Sequence, residues 1–158
     1  MNHFSCCVTG HRDIPTHQIP FVEQALRKEI KAALTDGCRH FISGFAKGAD
    51  MIFAHLVLET QEAYPDVILE AALPYRTWMN HRSAKDIGAL QKCKTIGVHS
   101  ETYTPFCFSV RNRYMVNACS RVIAVYDGRE KGGTASTIRY AETLGREIRI
   151  VCLVPAVL

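Results

Sequence analysis

Val122-Ile123-Ala124-Val125-Tyr126-Asp127-Gly128-Arg129-Glu130-Lys131-Gly132-Gly133-Thr134 begins as an unbroken apolar run and ends as a glycine-rich turn. A run without polar alternation keeps no face for water, so it predicts a strand covered on both sides, as in a parallel sheet sandwiched by helices. Residues 134–144 then take up helical periodicity. Strand, glycine turn and helix together make one βα unit. The unit recurs on either side. Strands are predicted over 4–8, 40–42, 67–73, 95–99 and 148–154, with 67–73 and 148–154 also nearly continuous in apolar residues, and helices over 18–35, 50–63, 80–93 and 108–119. The first helix carries Phe21, Val22, Ala25, Leu26, Ile30, Ala33 and Leu34 on one stripe, and the second turns Ile52, Phe53, Leu56 and Val57 inward. Strands and helices alternating to the end of the chain predict a doubly wound α/β fold, with a mainly parallel sheet of about six strands between helices.

The chain has 158 residues, 47% hydrophobic and 22% charged. That is the composition of an ordinary globular chain, and the length suits one domain, since domains run to about 100–200 residues. With no repeat, low-complexity tract or long linker, a single domain over 1–158 is expected. No apolar run approaches the roughly 20 residues that span a bilayer, and the start, MNHFSCCVTGHR, is too short and polar for a signal peptide. A cytoplasmic protein with no membrane partner is the expectation. Seven cysteines is an odd count, and Cys6, Cys7, Cys38, Cys107 and Cys152 fall in or beside segments that read as buried strands or their connections, so free core thiols are expected. Cys6 and Cys7, adjacent in a strand, should point to opposite faces. No metal-ligand spacing is present, and neither a metal nor a cofactor is expected.

The net charge is +4, from 19 Lys and Arg against 15 Asp and Glu. Residues 1–110 hold 11 basic and 11 acidic side chains and residues 111–158 hold 8 and 4, so the whole excess falls in the last third. A single Trp, and no exposed aromatics interleaved with lysines, makes a poor stacking platform for single-stranded nucleic acid, which is disfavoured as a partner.

Ligands of an open parallel sheet sit beyond the carboxyl ends of its strands. The segments in that position are Thr9-Gly10-His11-Arg12, Ser43-Gly44-Phe45-Ala46-Lys47-Gly48-Ala49-Asp50, Pro74-Tyr75-Arg76 and Asp127 to Thr134. Two of these are glycine-rich loops opening into a helix, which presents unpaired backbone N–H groups and the positive helix end to an anion. The competing reading is that the glycines only make tight turns. Gly10, His11, Arg12, Ser43, Gly44, Lys47, Gly48, Asp50, Gly132, Gly133 and Thr134 are the candidate ligand-binding residues. Arg111 and Arg113 join them because guanidinium suits bidentate phosphate contact, with a solvated helix face as the equal alternative. Asp50 reads equally as a carboxylate at a positive helix end, His11 as a hydrogen-bonded loop histidine, and Trp78 as a base-stacking ring or a core cap. Neither loop ends in the GK[ST] of a P-loop, and no GxGxxG follows the first strand.

The order of Gly10-His11-Arg12, Ser43 to Asp50, Arg111-Asn112-Arg113 and Gly132-Gly133-Thr134 resembles the Rossmann-like superfamily (SLOG) that joins the DNA-processing protein DprA to the Lonely Guy phosphoribohydrolases. Within it the chain is most similar to the YpsA-type, DUF1273 branch, over nearly its whole length. The resemblance implies a pocket for a nucleotide or nucleotide-derived ligand, NAD- or ADP-ribose-like or another phosphorylated nucleoside, held as by a sensor or accessory module. It also implies two alternatives. One is N-glycosidic hydrolysis of nucleoside monophosphates. In Lonely Guy enzymes the second loop resembles PGGxGTxxE and its glutamate serves the cleavage; the matching position here is Thr137, leaving Glu142 and Asp50 as the carboxylates to consider. A binding module is therefore expected ahead of an enzyme. The other is DprA-like binding of single-stranded DNA. Assembly into a homo-oligomer stays open.

Overall fold

The computed structural model describes residues 4–154, so the outermost ends of the expected 1–158 domain lie outside the described residues. Six strands, β1 (Ser5–Gly10), β2 (His40–Ser43), β3 (Ile68–Leu73), β4 (Thr95–Val98), β5 (Arg121–Tyr126) and β6 (Glu147–Cys152), form one sheet in the order β4-β3-β2-β1-β5-β6. Every pairing is parallel, and β1 lies between β2 and β5 with Cys6 opposite Phe41 and Arg121. The chain therefore starts in the middle of the sheet, winds outward through β4, then crosses back to β5. Its order reverses at the β1/β5 boundary, where a crevice opens beyond the carboxyl ends of the strands.

The helices are α1 (Ile19–Thr35), preceded by a 3-10 turn at Thr16–Gln18, then α2 (Ala49–Thr60), α3 (Ala84–Gln91), α4 (Cys107–Ala118) and α5 (Gly133–Thr143). Successive strand residues point to opposite faces. Cys6, Val8, Ile123 and Val125 thus join Val22, Leu26, Phe53 and Val57 of α1 and α2 in the larger core, while Cys7, Ile42 and Val122 meet Met115, Val116 and Ala141 of α4 and α5 in the smaller. Adjacent Cys6 and Cys7 separate as expected. All seven cysteines are free, and burial pushes the Cys38 thiol up to about 11 and Cys93 to about 12, which keeps both protonated.

Four readings of the sequence are corrected. Phe21 is 52% exposed, because α1 buries only Val22, Leu26, Ile30, Ala33 and Leu34 and Phe21 lies about 100° round the helix from Val22. The helix expected over 80–93 starts only at Ala84: His81 takes a positive φ of 69°, and the Ser83 side chain caps by accepting from the Asp86 N–H. The strand expected over 148–154 is not covered on both faces, because β6 is an edge strand with Ile150 47% exposed. Cys152, expected in the core, is accordingly exposed. Among the described residues no helix is long and apolar enough to cross a membrane.

Candidate functional site

At the β1/β5 crevice lies a cleft of about 300 Å³, walled by Thr9, Gly10, His11, Arg12 and Asp13 after β1, Ala46 and Asp50 from the β2–α2 loop, Arg111, Asn112 and Met115 of α4, and Arg129, Gly132, Gly133 and Thr134 after β5. Of the candidates, Gly10, His11, Arg12, Asp50, Arg111, Gly132, Gly133 and Thr134 come together here. Ser43, Gly44, Lys47, Gly48 and Arg113 do not line it.

The β2–α2 loop folds in on itself. Ser43 Oγ donates to the Asp50 carbonyl at 2.9 Å and accepts from the Phe45 N–H, while the Ala46 N–H donates to Asp50 Oδ2 and the Ala49 N–H to the His11 carbonyl. Those N–H groups are spent inside the protein. Its glycines also serve neighbours: a Cβ on Gly44 would lie 2.4 Å from Nη1 of Arg111, and Gly48 holds a φ of +83° with its Cβ position 2.5 Å from the His11 carbonyl oxygen. Lys47 is exposed.

The β5–α5 turn is built the other way. Gly132 caps α5 at a φ of +109°, Gly133 opens the helix, and nothing lies within 4 Å of the Cβ position of either. The first N–H groups of a helix have no intrahelical partner, and here they front the cleft beside Thr134. The turn therefore offers donors and positive helix potential to an anion.

The charged groups divide in function. Arg111 is buried, and its Nη1 donates to the carbonyls of Gly44 and Ala72 at 2.7 and 3.1 Å, so most of its valence is structural. Arg113, two positions on and thus on another side of the helix, stacks on Tyr140 at 4.8 Å outside the cleft. Arg129 grips Asp127 and reaches Asp13. Arg12 makes no ion pair among the described residues; its guanidinium lies 5.2 Å from the Trp78 ring and 5.0 Å from that of Phe108, a cation held at the rim on aromatic faces. Trp78 Nε1 meanwhile donates to the Phe45 carbonyl, and the ring packs on Tyr75 and Phe108.

Of the two carboxyls that line the cleft, Asp13 is 70% exposed and reached by Arg129, and Asp50 is buried. Burial raises its pKa, opposed by Arg111 and the Ala46 N–H. His11 is held below the ordinary histidine range by burial and by Arg129, against the pull of the Asp127 carboxylate; its Nε2 lies 3.1 Å from Asp127 Oδ1 and 3.2 Å from the Asp127 backbone nitrogen. Arg129, by its hydrogen bonds, holds the Asp127 carboxyl far below the usual carboxylate range. Glu142, the other carboxylate considered, is exposed and nine residues beyond Gly133 on α5, roughly 13 Å along the helix at 1.5 Å per residue. It lines neither the cleft nor the neighbouring groove. Thr137, in the place of the Lonely Guy glutamate, donates to the Gly133 carbonyl at 2.8 Å.

Sequence reasoning missed Asn112, Asp127 and Arg129 as site residues. Asp127 and Arg129 follow the fifth strand in the segment already marked, so position gave the signal; Asn112 had none beyond lying between two arginines. Among the described residues no cluster of three or more His, Cys, Asp or Glu is placed to hold a metal.

Solved structures share the architecture. DprA of Streptococcus pneumoniae superposes with a TM-score of 0.68 at 19% identity over 93% of this chain and 50% of that one. DprA of Helicobacter pylori, described for its mode of binding single-stranded DNA, gives 0.68 at 20% identity over 94% and 65%. This chain thus spans half to two thirds of those proteins. The structural-genomics target TM1055 gives 0.60 at 15% identity, over 92% of this chain and 72% of that one. Among sequences, a UPF0398 protein of Bacillus pumilus (strain SAFR-032) is 24% identical over 130 residues, covering 78% of this chain and 70% of its own. A family model matches over residues 6–153, from inside β1 past the end of β6, and makes the chain a member of the YspA SLOG family.

Proposed function

We propose that this protein binds a nucleotide-derived ligand, a phosphorylated nucleoside of the AMP, ADP-ribose or NAD kind, in the β1/β5 cleft, as a sensor or accessory module. The carrying observation is the first turn of α5, where Gly132, Gly133 and Thr134 face the cleft with no side chain over the glycines. Arg12 supplies an unpaired cation at the rim, and a phosphate there would meet backbone donors, helix potential and guanidinium together. The two carboxylates nearest His11 and Arg129, Asp13 and Asp127, are both tied to Arg129. Among the described residues that line the cleft, Asp50 is the acid that Arg129 does not hold.

The test is a thermal-shift screen of the full chain against mononucleotides, NAD, ADP-ribose, cyclic and linear dinucleotides, and single-stranded DNA as the competitor. A ligand at 100 times its dissociation constant adds about 2.7 kcal/mol to stability. The expected result is a rise in melting temperature with a phosphorylated nucleoside, and no shift with any of them refutes the proposal.

Asp50 supports a second reading, nucleoside-monophosphate hydrolysis, because a buried carboxyl of raised pKa suits a proton donor. Free base released from AMP, GMP or CMP and lost on Asp50→Asn would replace the binding assignment with that activity.

A further inference from the structure

Asn112 stands where two hollows meet. The cleft and a larger groove of about 550 Å³ between α4 and α5 share two wall residues, Asn112 and Gly133. Past that junction the groove is walled by Phe108, Ser136, Tyr140 and the two arginines Arg113 and Arg139, with the Arg113 guanidinium 4.8 Å from the Tyr140 ring. Rings and guanidinium planes together offer flat, polarisable surfaces against which a nucleobase can stack.

The Asn112 carboxamide has no freedom over which end it offers. The Nε–H of Arg111 donates to Asn112 Oδ1 at 2.7 Å, and Arg111 is itself buried and fixed through Nη1 on the Gly44 and Ala72 carbonyls. A guanidinium has no acceptor, so the amide oxygen must face it. The NH2 group is left at the junction, with no hydrogen-bond partner among the described residues.

We propose that Asn112 determines ligand specificity by presenting donors alone: its NH2 group binds an acceptor oxygen where the phosphate of a phosphorylated nucleoside, seated in the cleft, joins the nucleoside moiety, seated in the α4–α5 groove. The inference rests on the reading of the cleft as a phosphate site. It favours ligands that carry both phosphate and base over a phosphorylated sugar alone. It disfavours a ligand with an N–H at the junction, because donor would face donor and a polar group would be left unpaired.

Calorimetric titration of the full chain with AMP and with ribose 5-phosphate tests it, using Asn112→Asp and Asn112→Ala. Asn112→Asp keeps an oxygen for Arg111, so its melting temperature should equal or exceed that of the parent while the donor is gone. The expected results are AMP binding at least about tenfold tighter than ribose 5-phosphate in the parent, and a loss of roughly ten- to hundredfold in AMP affinity in both variants, the loss that follows removal of a charge-assisted hydrogen bond. The Asn112→Asp loss should persist in about 1 M NaCl, where through-space repulsion is screened within about 3 Å. If Asn112 only props Arg111, Asn112→Asp binds AMP like the parent in high salt and Asn112→Ala alone suffers, which overturns the proposal. So does equal affinity of the parent for AMP and ribose 5-phosphate. Should Gly133→Ala lose AMP while Asn112→Asp keeps it, the role of Asn112 falls and the cleft stands. Should the parent bind neither probe, this inference falls, and the cleft is then judged by the wider ligand screen.

Discussion

A Cβ on Gly44 would sit 2.4 Å from Nη1 of Arg111 and 2.8 Å from Oδ2 of Asp50, whereas a Cβ on Gly133 would enter open space. The two substitutions should therefore separate stability from binding. Gly44→Ala must displace a buried guanidinium that holds two carbonyls, and overpacking of that kind costs about 1–3 kcal/mol. The midpoint of urea unfolding should drop for Gly44→Ala and stay put for Gly133→Ala; equal midpoints would contradict the packing described for Arg111. Glycines after the first and second strands mark themselves in the sequence as special. What they make room for is not readable there, because Ala49 against Gly10 and Arg111 against Gly44 arrive from other segments. His11 and Asp127 likewise lie 116 positions apart and meet only because β1 and β5 are neighbours.

Helix α4 carries both Arg111 and Asn112 to the cleft, and its far end is tied to the sheet by ionisable groups. Tyr114 donates to Glu70 of β3, whose other oxygen pairs with His40 Nε2 at 2.8 Å, and the His99 ring lies 4.3 Å from that of Tyr114. Burial pushes the Glu70 carboxyl up, but the hydrogen bonds from His40 and Tyr114 outweigh it and hold it below the ordinary value of 4.5. Burial also lowers His99 below 6.5. A depressed folded-state pKa gives stability that is present above the unfolded value and lost as pH falls. Stability should thus decline in two steps on acidification, first below about pH 6.5 as His99 and His11 are forced to charge, then below about pH 4.5 as Glu70 is protonated. Raised Asp50 acts in the opposite sense. Urea unfolding across pH 3.5–8 should show the second step reduced in Tyr114→Phe, and an unchanged acid limb in that variant would contradict the tie. Among the elements, β5 and α5 were readable because their patterns are long and uninterrupted. The start of α3 was not, since a positive φ at His81 and a cap at Ser83 decide it locally, and the edge position of β6 follows from sheet order, which apolar content does not encode.

The sheet order brings the segments after β1, β2 and β5 to one edge, as the alternation of strands and helices predicts, and places the order reversal between β1 and β5. The basic excess after residue 110 has a different fate from the one its position suggests. Arg111 is buried, Arg121 is paired with Asp36 and Glu147, Arg129 with Asp127 and Asp13, and Arg149 with Glu147 and Glu29. Arg139 and Arg146 donate to backbone carbonyls, and Arg113 stacks on Tyr140. Most of that charge is engaged within the chain. The proposed phosphate at the α5 turn would be held by the helix end and by Arg12, which lines the same cleft. The AMP affinity of Gly133→Ala, measured by calorimetry beside its melting temperature, bears on this most directly, because the protein leaves room for the added methyl and only a bound phosphate would meet it. The account predicts an unchanged melting temperature with affinity reduced about tenfold or more, the scale of a lost charge-assisted hydrogen bond; a folded Gly133→Ala that binds AMP as tightly as the parent would contradict it.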